Sequence, residues 1–138
     1  MKKTIVNFSN SLPSADGLGW AANMKVGVLG AGSMGSGIVQ IAATQKHQVV
    51  LVDLNEEALK KAATNLKNIL ARLVEKEKID QATADNIMGR IQFSKNISDF
   101  KSCDIIIEAI IENIDVKRKV FAQLEEIVSA KCILASNT

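Results

Sequence analysis

The fold class of this chain follows from the stretch MKVGVLGAGSMGSGIVQIAAT, residues 24–44. An apolar run meets a Gly-x-Gly-x-x-Gly sequence and then residues suited to a helix, which is the pattern of a strand, a tight turn and a helix. Gly30 allows the chain to reverse sharply, Gly32 has no Cβ and lets the backbone approach a pyrophosphate, and Gly35 lets the helix pack close to its strand. The unpaired N–H groups and the positive dipole end of that helix predict a phosphate site that needs no Lys or Arg.

A carboxylate follows the next predicted strand. The apolar run 49–52 is followed by Asp53, which stands 18 positions beyond Gly35 (53 minus 35). In dinucleotide-binding proteins the acid that holds the adenosine ribose hydroxyls lies about 20 residues beyond such a turn. Asp53 is therefore a candidate ribose ligand, and the alternative is a plain helix N-cap or strand-end carboxylate. We expect NAD(H) rather than NADP(H), because Asp53 would repel a 2′-phosphate and no Arg lies within residues 54–61.

Composition narrows the class of protein. The 138 residues amount to about one domain, and 47% hydrophobic residues suffice for a core. A net charge of +2 with 23% charged residues suggests neither nucleic acid nor a membrane surface as a partner. Polar residues interrupt the apolar stretch that a signal peptide would need, and no run approaches the ~18 residues of a membrane span, so we expect a cytoplasmic protein. Cys103 and Cys132 lack C-x-x-C spacing and are predicted to be buried thiols, not a metal site or a disulfide.

The first 23 residues do not resemble the rest of the chain. They carry three Ser, three Asn, two Gly, Pro13 and Asp16 and show no sustained apolar period, which is typical of a loop or tail. We therefore predict a flexible extension at 1–23 and a single domain at 24–138, and we expect removal of the extension to leave stability nearly unchanged. Trp20 is the residue of this extension that would dock if any does.

Beyond the second strand the apolar period changes to three and four residues. This predicts a helix at 56–76 capped by Asn55 and a shorter helix at 81–88 capped by Asp80, a hairpin where one crossover helix is usual. Strands at 91–94, 104–108 and 132–135 and a helix at 115–128 complete the pattern. The alternation predicts an α/β fold: Rossmann-like and doubly wound, with a mostly parallel sheet and a long helical hairpin after the second strand.

Four ordered motifs carry a resemblance to a known family. They are MKVGVLGAGSMGSGI at 24–38, VLVD at 50–53, IEAIIEN at 107–113 and ILASNT at 133–138. Together they resemble the 3-hydroxyacyl-CoA dehydrogenase family, in particular its bacterial 3-hydroxybutyryl-CoA dehydrogenases. The resemblance implies an oxidoreductase of fatty acid and butanoate metabolism. It would pass hydride between the 3-hydroxy or 3-keto group of an acyl-CoA and NAD(H).

The resemblance also implies which residues bind NAD. They form the glycine-rich turn, the end of the second strand and the segment after the fourth: Gly30, Ala31, Gly32, Ser33, Met34, Gly35, Asp53, Ala109, Glu112 and Lys117. Judged by residue type alone, Glu112 and Lys117 would be a solvated pair at a helix start. For the CoA moiety, Lys76 matches a basic contact position, whereas Ile69 stands where relatives can have a small hydroxyl residue.

The chain departs from the family pattern after Thr138. Family members continue with a serine that contacts substrate, and further on with a catalytic His–Glu pair and an all-helical domain that forms homodimers. We therefore predict the cofactor-binding half of an enzyme, assign no catalytic residue, and expect these 138 residues alone to bind dinucleotide without turnover. His47 lies before the second strand and is predicted to be a loop residue, out of reach as a general base.

Two other classes stay open at this point. One is a non-catalytic nucleotide-binding module. The other is a different Rossmann protein: a flavoprotein, a hydroxy-acid dehydrogenase or a methyltransferase, all of which use related turns. The helical hairpin and the run EAIIE at 108–112 weigh against this second group.

Overall fold

The computed structural model describes residues 5–7, 24–110, 114–129 and 131–136. In chain order the elements are β1 (Ile5–Asn7), β2 (Lys25–Leu29), α1 (Ser33–Thr44), β3 (Gln48–Val52), α2 (Glu56–Glu75), α3 (Gln81–Gly89), β4 (Ile91–Ser94), a 3-10 helix (Ile97–Ser102), β5 (Ile105–Glu108), α4 (Ile114–Ile127) and β6 (Ile133–Ser136). The alternation of strands and helices predicted from the sequence is confirmed.

The six strands form one sheet in the order β1-β6-β5-β2-β3-β4. Every pair is parallel, so the sheet is wholly parallel where the sequence predicted a mostly parallel one. The chain winds outward from β2 through β3 and β4, then returns to β5 on the other side of β2. Open α/β sheets bind ligands at the carboxyl ends of the strands where the winding reverses. The turn after β2 lies at this point.

Two apolar layers cover the sheet, as expected of a doubly wound fold. Val28, Leu51 and Ile107 point into the layer formed with α1, α2 and α3. Their neighbours along the strands, such as Val50 and Ile106, point into the layer formed with the 3-10 helix and α4. Strands buried on both faces need continuous apolar runs, which explains the Val- and Ile-rich strand sequences.

Both helices of the hairpin begin directly after the predicted N-cap residues, Asn55 and Asp80. The Asn55 side chain accepts hydrogen bonds from the N–H groups of Glu57 and Ala58, and the Asp80 side chain accepts one from the N–H of Thr83. The bond to Thr83 lowers the pKa of the Asp80 carboxyl. These local side-chain contacts satisfy N–H groups that a helix start leaves unpaired.

The N-terminal segment is the main difference from the predicted domain limits. Ile5–Asn7 forms β1, which pairs in parallel with β6 in the register Ile5 to Leu134. The expectation that all of 1–23 lies outside the domain is therefore wrong for these three residues. The physical reason is the edge of β6, whose backbone groups would otherwise have no strand beside them. Trp20 lies outside the described residues.

The 3-10 helix was also not predicted. It places Phe100 at 0% exposure against the sheet, where a Cβ on Gly27 would approach the Phe100 ring to 2.6 Å. Cys103 and Cys132 are buried beside it, as predicted. Burial raises the pKa of the Cys103 thiol to about 12.

The described residues include neither a membrane-spanning helix nor a metal-binding group of side chains. No helix in this part of the chain is long and apolar enough to cross a membrane. The same residues contain no group of three or more His, Cys, Asp or Glu side chains that could hold a metal ion.

Candidate dinucleotide-binding site

The turn after β2 has a backbone conformation that favours glycine at its first position. Gly30 has φ of +112°, a region that L side chains rarely adopt. A Cβ there would lie 2.7 Å from the carbonyl oxygen of Ala109. The Gly30 N–H donates to the carbonyl oxygen of Val52 at 2.8 Å. The turn is therefore held between the ends of β3 and β5.

The other two glycines of the motif differ in their surroundings. A Cβ on Gly35 would lie 1.8 Å from the carbonyl oxygen of Gly30, so the start of α1 packs directly on the turn. A Cβ on Gly32 would meet nothing within 4 Å. Gly32 is exposed, and its lack of a side chain leaves an open approach to the backbone.

The N-terminus of α1 differs from those of α2 and α3. Helix α1 begins at Ser33, inside the glycine-rich motif, with Gly32 as its N-cap. Among the residues that the structure describes, no side chain caps α1 and its first turn contains no acid. Ser33 and Met34 are exposed beside it. An uncapped helix start offers N–H groups and a positive dipole end to an anion.

Asp53 lies beside this turn and is hydrogen-bonded on both oxygens. Its Oδ2 accepts from the N–H of Ala31 at 2.9 Å, and its Oδ1 accepts from the N–H of Asn55 at 2.8 Å. A carboxylate has about four acceptor positions, which leaves room for ribose hydroxyls. The N-cap of α2 is Asn55, so the alternative that Asp53 is a helix N-cap is wrong. Asp53 does directly follow the end of β3.

The structure brings only some of the candidate residues together. Ala109 follows β5 and donates its N–H to the carbonyl oxygen of Leu29 at 2.8 Å, beside the glycine-rich turn. Glu112 lies outside the described residues. Lys117 lies within α4, and its side chain is not described. Glu108 ends β5 with 0% of its surface exposed, and the sequence analysis gave it no role. The sequence feature that could have indicated it is a charged residue directly after a run of β-branched residues.

A groove of about 740 Å³ separates the turn and α1 from the hairpin. Gly32 and Ser36 line one wall, and Lys61, Asn65 and Arg72 of α2 line the other. The sequence analysis missed Lys61 and Arg72, because on α2 they look like ordinary surface charges. Ile69 also lines the groove and is 39% exposed. Lys76 is the exposed C-cap of α2, one turn beyond Arg72.

His47 lies far from this turn along the sheet. It stands between α1 and β3, at the amino end of β3, whereas the glycine-rich turn lies at the carboxyl ends. The predicted loop position is confirmed, but the side chain is only 3% exposed. Burial lowers the pKa of His47.

These features define a class of protein. A doubly wound parallel sheet whose central strand leads into Gly-x-Gly-x-x-Gly, with an acid at the end of the next strand, is the dinucleotide-binding Rossmann type. The chain belongs to the family of 3-hydroxyacyl-CoA dehydrogenase NAD-binding domains, whose family model matches residues 25–138. The resemblance inferred from the sequence is thus confirmed, and the family's cofactor is NAD.

Individual relatives agree with this family. The chain is 44% identical over 115 residues to a probable 3-hydroxybutyryl-CoA dehydrogenase of Deinococcus radiodurans, covering 83% of this chain and 41% of that protein. It is 43% identical over 119 residues to a probable 3-hydroxyacyl-CoA dehydrogenase of Caenorhabditis elegans, covering 82% and 38%. The crystal structure of 3-hydroxybutyryl-CoA dehydrogenase from Escherichia coli superposes with a TM-score of 0.81 at 35% identity, covering 83% and 24%. The chain therefore spans less than half the length of these relatives.

Proposed function

We propose that this domain is the NAD(H)-binding part of an oxidoreductase that acts on the 3-hydroxy or 3-keto group of an acyl-CoA. The observation that carries the proposal is the uncapped start of α1 at the glycine-rich turn, beside the Asp53 carboxylate. The names of the relatives, all dehydrogenases of 3-hydroxyacyl-CoA compounds, supply the substrate class. Nicotinamide supplies the hydride chemistry, and the residues of this domain bind and orient the dinucleotide.

Each part of the dinucleotide has proposed contacts. The pyrophosphate lies on the backbone of the turn and the first turn of α1, Asp53 accepts from the adenosine ribose hydroxyls, and the remaining contacts lie toward the nicotinamide. The proposed cofactor residues are Gly30, Ala31, Gly32, Ser33, Met34, Gly35, Asp53, Ala109, Glu112 and Lys117. These residues belong to a domain that comprises residues 24–138 together with strand β1, which pairs with β6.

We further propose that the groove between α1 and α2 holds the phosphates of CoA. Lys61 and Arg72 line the groove about three turns apart on the same face of α2, and Lys76 lies one turn beyond Arg72. A cationic wall on α2 suits a ligand with several phosphates. Ile69 adds an apolar contact where a hydroxyl would have added a hydrogen bond.

For these 138 residues alone we propose dinucleotide binding without turnover. A general base must come within hydrogen-bond reach of the substrate hydroxyl. The sequence contains one His, and His47 is buried at the amino end of β3, away from the cofactor turn. Cytoplasmic location, homodimerisation of the longer enzyme, and the absence of nucleic-acid or membrane partners belong to the same proposal.

Calorimetric titration with NADH tests the cofactor assignment. Gly32→Ala should weaken NADH binding at least tenfold, since its methyl group would occupy the approach of the pyrophosphate, while the melting temperature stays near that of the native chain because the Cβ meets no atom within 4 Å. Gly89→Ala is the matched control, because a Cβ on Gly89 also meets nothing within 4 Å and Gly89 ends α3, outside the groove. Equal NADH affinity in the native chain and in Gly32→Ala would contradict the assignment.

Titration with CoA tests the groove. Arg72→Ala and Lys61→Ala should each weaken CoA binding several-fold and leave NADH binding unchanged. Lys67→Ala, an exposed cation of α2 that does not line the groove, is the control. An assay with NADH and acetoacetyl-CoA then tests turnover, and steady oxidation of NADH by these 138 residues would overturn the binding-only proposal.

A further inference from the structure

The Asp53 carboxylate connects two turns that are distant in sequence. Its Oδ2 accepts from Ala31, 22 residues earlier, in the glycine-rich turn. Its Oδ1 accepts from Asn55, two residues later, in the turn that leads into α2. One side chain therefore bridges the first βα turn and the second.

The bond to Ala31 satisfies a buried donor. Ala31 is 6% exposed, and its N–H precedes the first hydrogen bond within α1, donated by Ser36 to Gly32 at 2.9 Å. A buried N–H without an acceptor is strongly disfavoured. Without the Asp53 carboxylate, this N–H would have only water as an acceptor, and water would not hold the turn in one position.

The bond to Asn55 acts on the other side of the site. Asn55 caps α2 by accepting from Glu57 and Ala58 at 3.0 and 3.3 Å. Because Asp53 accepts from the Asn55 N–H, it helps to orient the residue that caps α2. Helix α2 in turn provides Lys61, which lines the groove.

We propose that Asp53 is a positioning residue as well as a ribose ligand: it holds the glycine-rich turn and the start of α2 in their binding arrangement before any dinucleotide arrives. The identity of the ligand in this inference rests on the proposed function. The claim that Asp53 holds the two turns rests only on its two hydrogen bonds, to Ala31 and to Asn55. It assigns to Asp53 an effect on pyrophosphate binding that acts through the turn and is separate from any contact with the ribose.

A dinucleotide without the ribose hydroxyls separates the two roles. The probe is an NADH analogue whose adenosine ribose carries hydrogen in place of both the 2′- and 3′-hydroxyls. The native chain should bind it more weakly than NADH. Asp53→Ala should weaken analogue binding by a further factor of about ten, the scale of a lost hydrogen bond to a charged group. Equal analogue affinity in Asp53→Ala and the native chain would show that Asp53 acts only on the hydroxyls and would overturn the proposal.

Two further variants keep the test interpretable. Asp53→Asn retains one acceptor oxygen and should fall between the native chain and Asp53→Ala for the analogue. Asp104→Ala removes a comparable carboxylate bond, from Lys25 N–H to Asp104 Oδ2 at 2.8 Å, at the amino ends of β2 and β5. It should leave the affinity for both ligands unchanged; a loss equal to that of Asp53→Ala would mean that general destabilisation, not positioning, explains the result.

Amide hydrogen exchange measures the positioning without any ligand. In the native chain the N–H groups of Ala31 and Asn55 should be protected, and in Asp53→Ala they should exchange at least tenfold faster while the amide of Leu51 in the core stays protected. Unchanged exchange at Ala31 would overturn the proposal. If the native chain binds neither NADH nor the analogue, the proposed function fails, and exchange alone still decides whether Asp53 holds the turn.

Discussion

The carbonyl oxygen of Gly30 lies 1.8 Å from the position that a Cβ on Gly35 would occupy. No side chain fits there unless the start of α1 moves away from the turn. We expect Gly35→Ala to destabilise the domain by about 1–3 kcal/mol, the usual cost of overpacking, and to abolish measurable NADH binding. Thermal unfolding and NADH titration measure the two effects.

Gly37→Ala provides the matched comparison within the same helix. A Cβ on Gly37 meets nothing within 4 Å, so the gain in helix propensity should stabilise the domain by up to about 1 kcal/mol. Similar melting temperatures for the two variants would contradict the steric argument.

Cofactor choice should favour NADH over NADPH. Two unit charges about 4 Å apart at an effective dielectric of about 20 repel by ~4 kcal/mol before screening, so Asp53 should disfavour a 2′-phosphate by tenfold or more. Leu54 is 83% exposed beside Asp53, and Leu54→Arg should raise NADPH affinity without disturbing the core. Calorimetry with both cofactors measures the ratio, and equal affinities in the native chain would refute this prediction.

Helix α1 is followed by a residue whose backbone conformation would suit glycine better. Lys46 follows α1 with φ of 72°, and its N–H and that of His47 donate to the carbonyl oxygens of Ala43 and Ala42, as in a Schellman motif. Lys46→Gly should stabilise the domain by up to about 1 kcal/mol, because the strain removed exceeds the added entropy of the unfolded chain. Gln45→Gly is the control, since Gln45 has φ of −80° and should lose stability. A lower melting temperature for Lys46→Gly than for the native chain would contradict the proposal that the positive φ of Lys46 costs stability.

Removal of residues 1–23 should destabilise the domain. The deletion takes away β1 and leaves β6 as the sheet edge. We expect a loss of about 1–3 kcal/mol for a few backbone hydrogen bonds, together with concentration-dependent association through the open edge. Thermal unfolding and light scattering measure the two effects, and Val6→Pro should produce a similar loss. A deletion variant that is monomeric and as stable as the native chain would restore the expectation from the sequence.

Cys103 should resist alkylation in the folded state. Its thiol pKa is raised from 9.0 to about 12, chiefly by burial, so almost no thiolate exists at pH 8. Because the folded state keeps its proton while the unfolded thiol loses one, this group lowers stability as the pH rises above about 9. Iodoacetamide at pH 8 with mass spectrometry should modify Cys103 only after urea unfolding. Rapid modification of the native chain would show that the thiol is accessible.

Local interactions are the part of this structure that the sequence predicted well. Asn55 and Asp80 cap their helices through bonds to N–H groups only two or three residues away, so residue type and spacing were sufficient evidence. The central strands were found because continuous apolar runs reflect burial on both faces. The motif at residues 24–35 placed the turn and the start of α1 within a few residues of their observed positions.

Contacts between distant segments were not predictable in this way. The residues of β1 meet β6 across most of the chain, and three residues are too few to show a period. Phe100 lies in a short 3-10 helix and is buried only because the strand opposite carries Gly27.

The candidate site divides along the same line. The family, the glycine-rich turn and Asp53 were identified from residue types at a fixed spacing, which a sequence shows directly. The folded arrangement was needed to show that Asp53 accepts from the N–H of Ala31, that Lys61 and Arg72 face the turn across a groove, and that His47 is buried at the amino end of β3. These relations depend on which segments the parallel sheet brings side by side, and that choice is made by burial summed over the whole chain rather than by any local pattern.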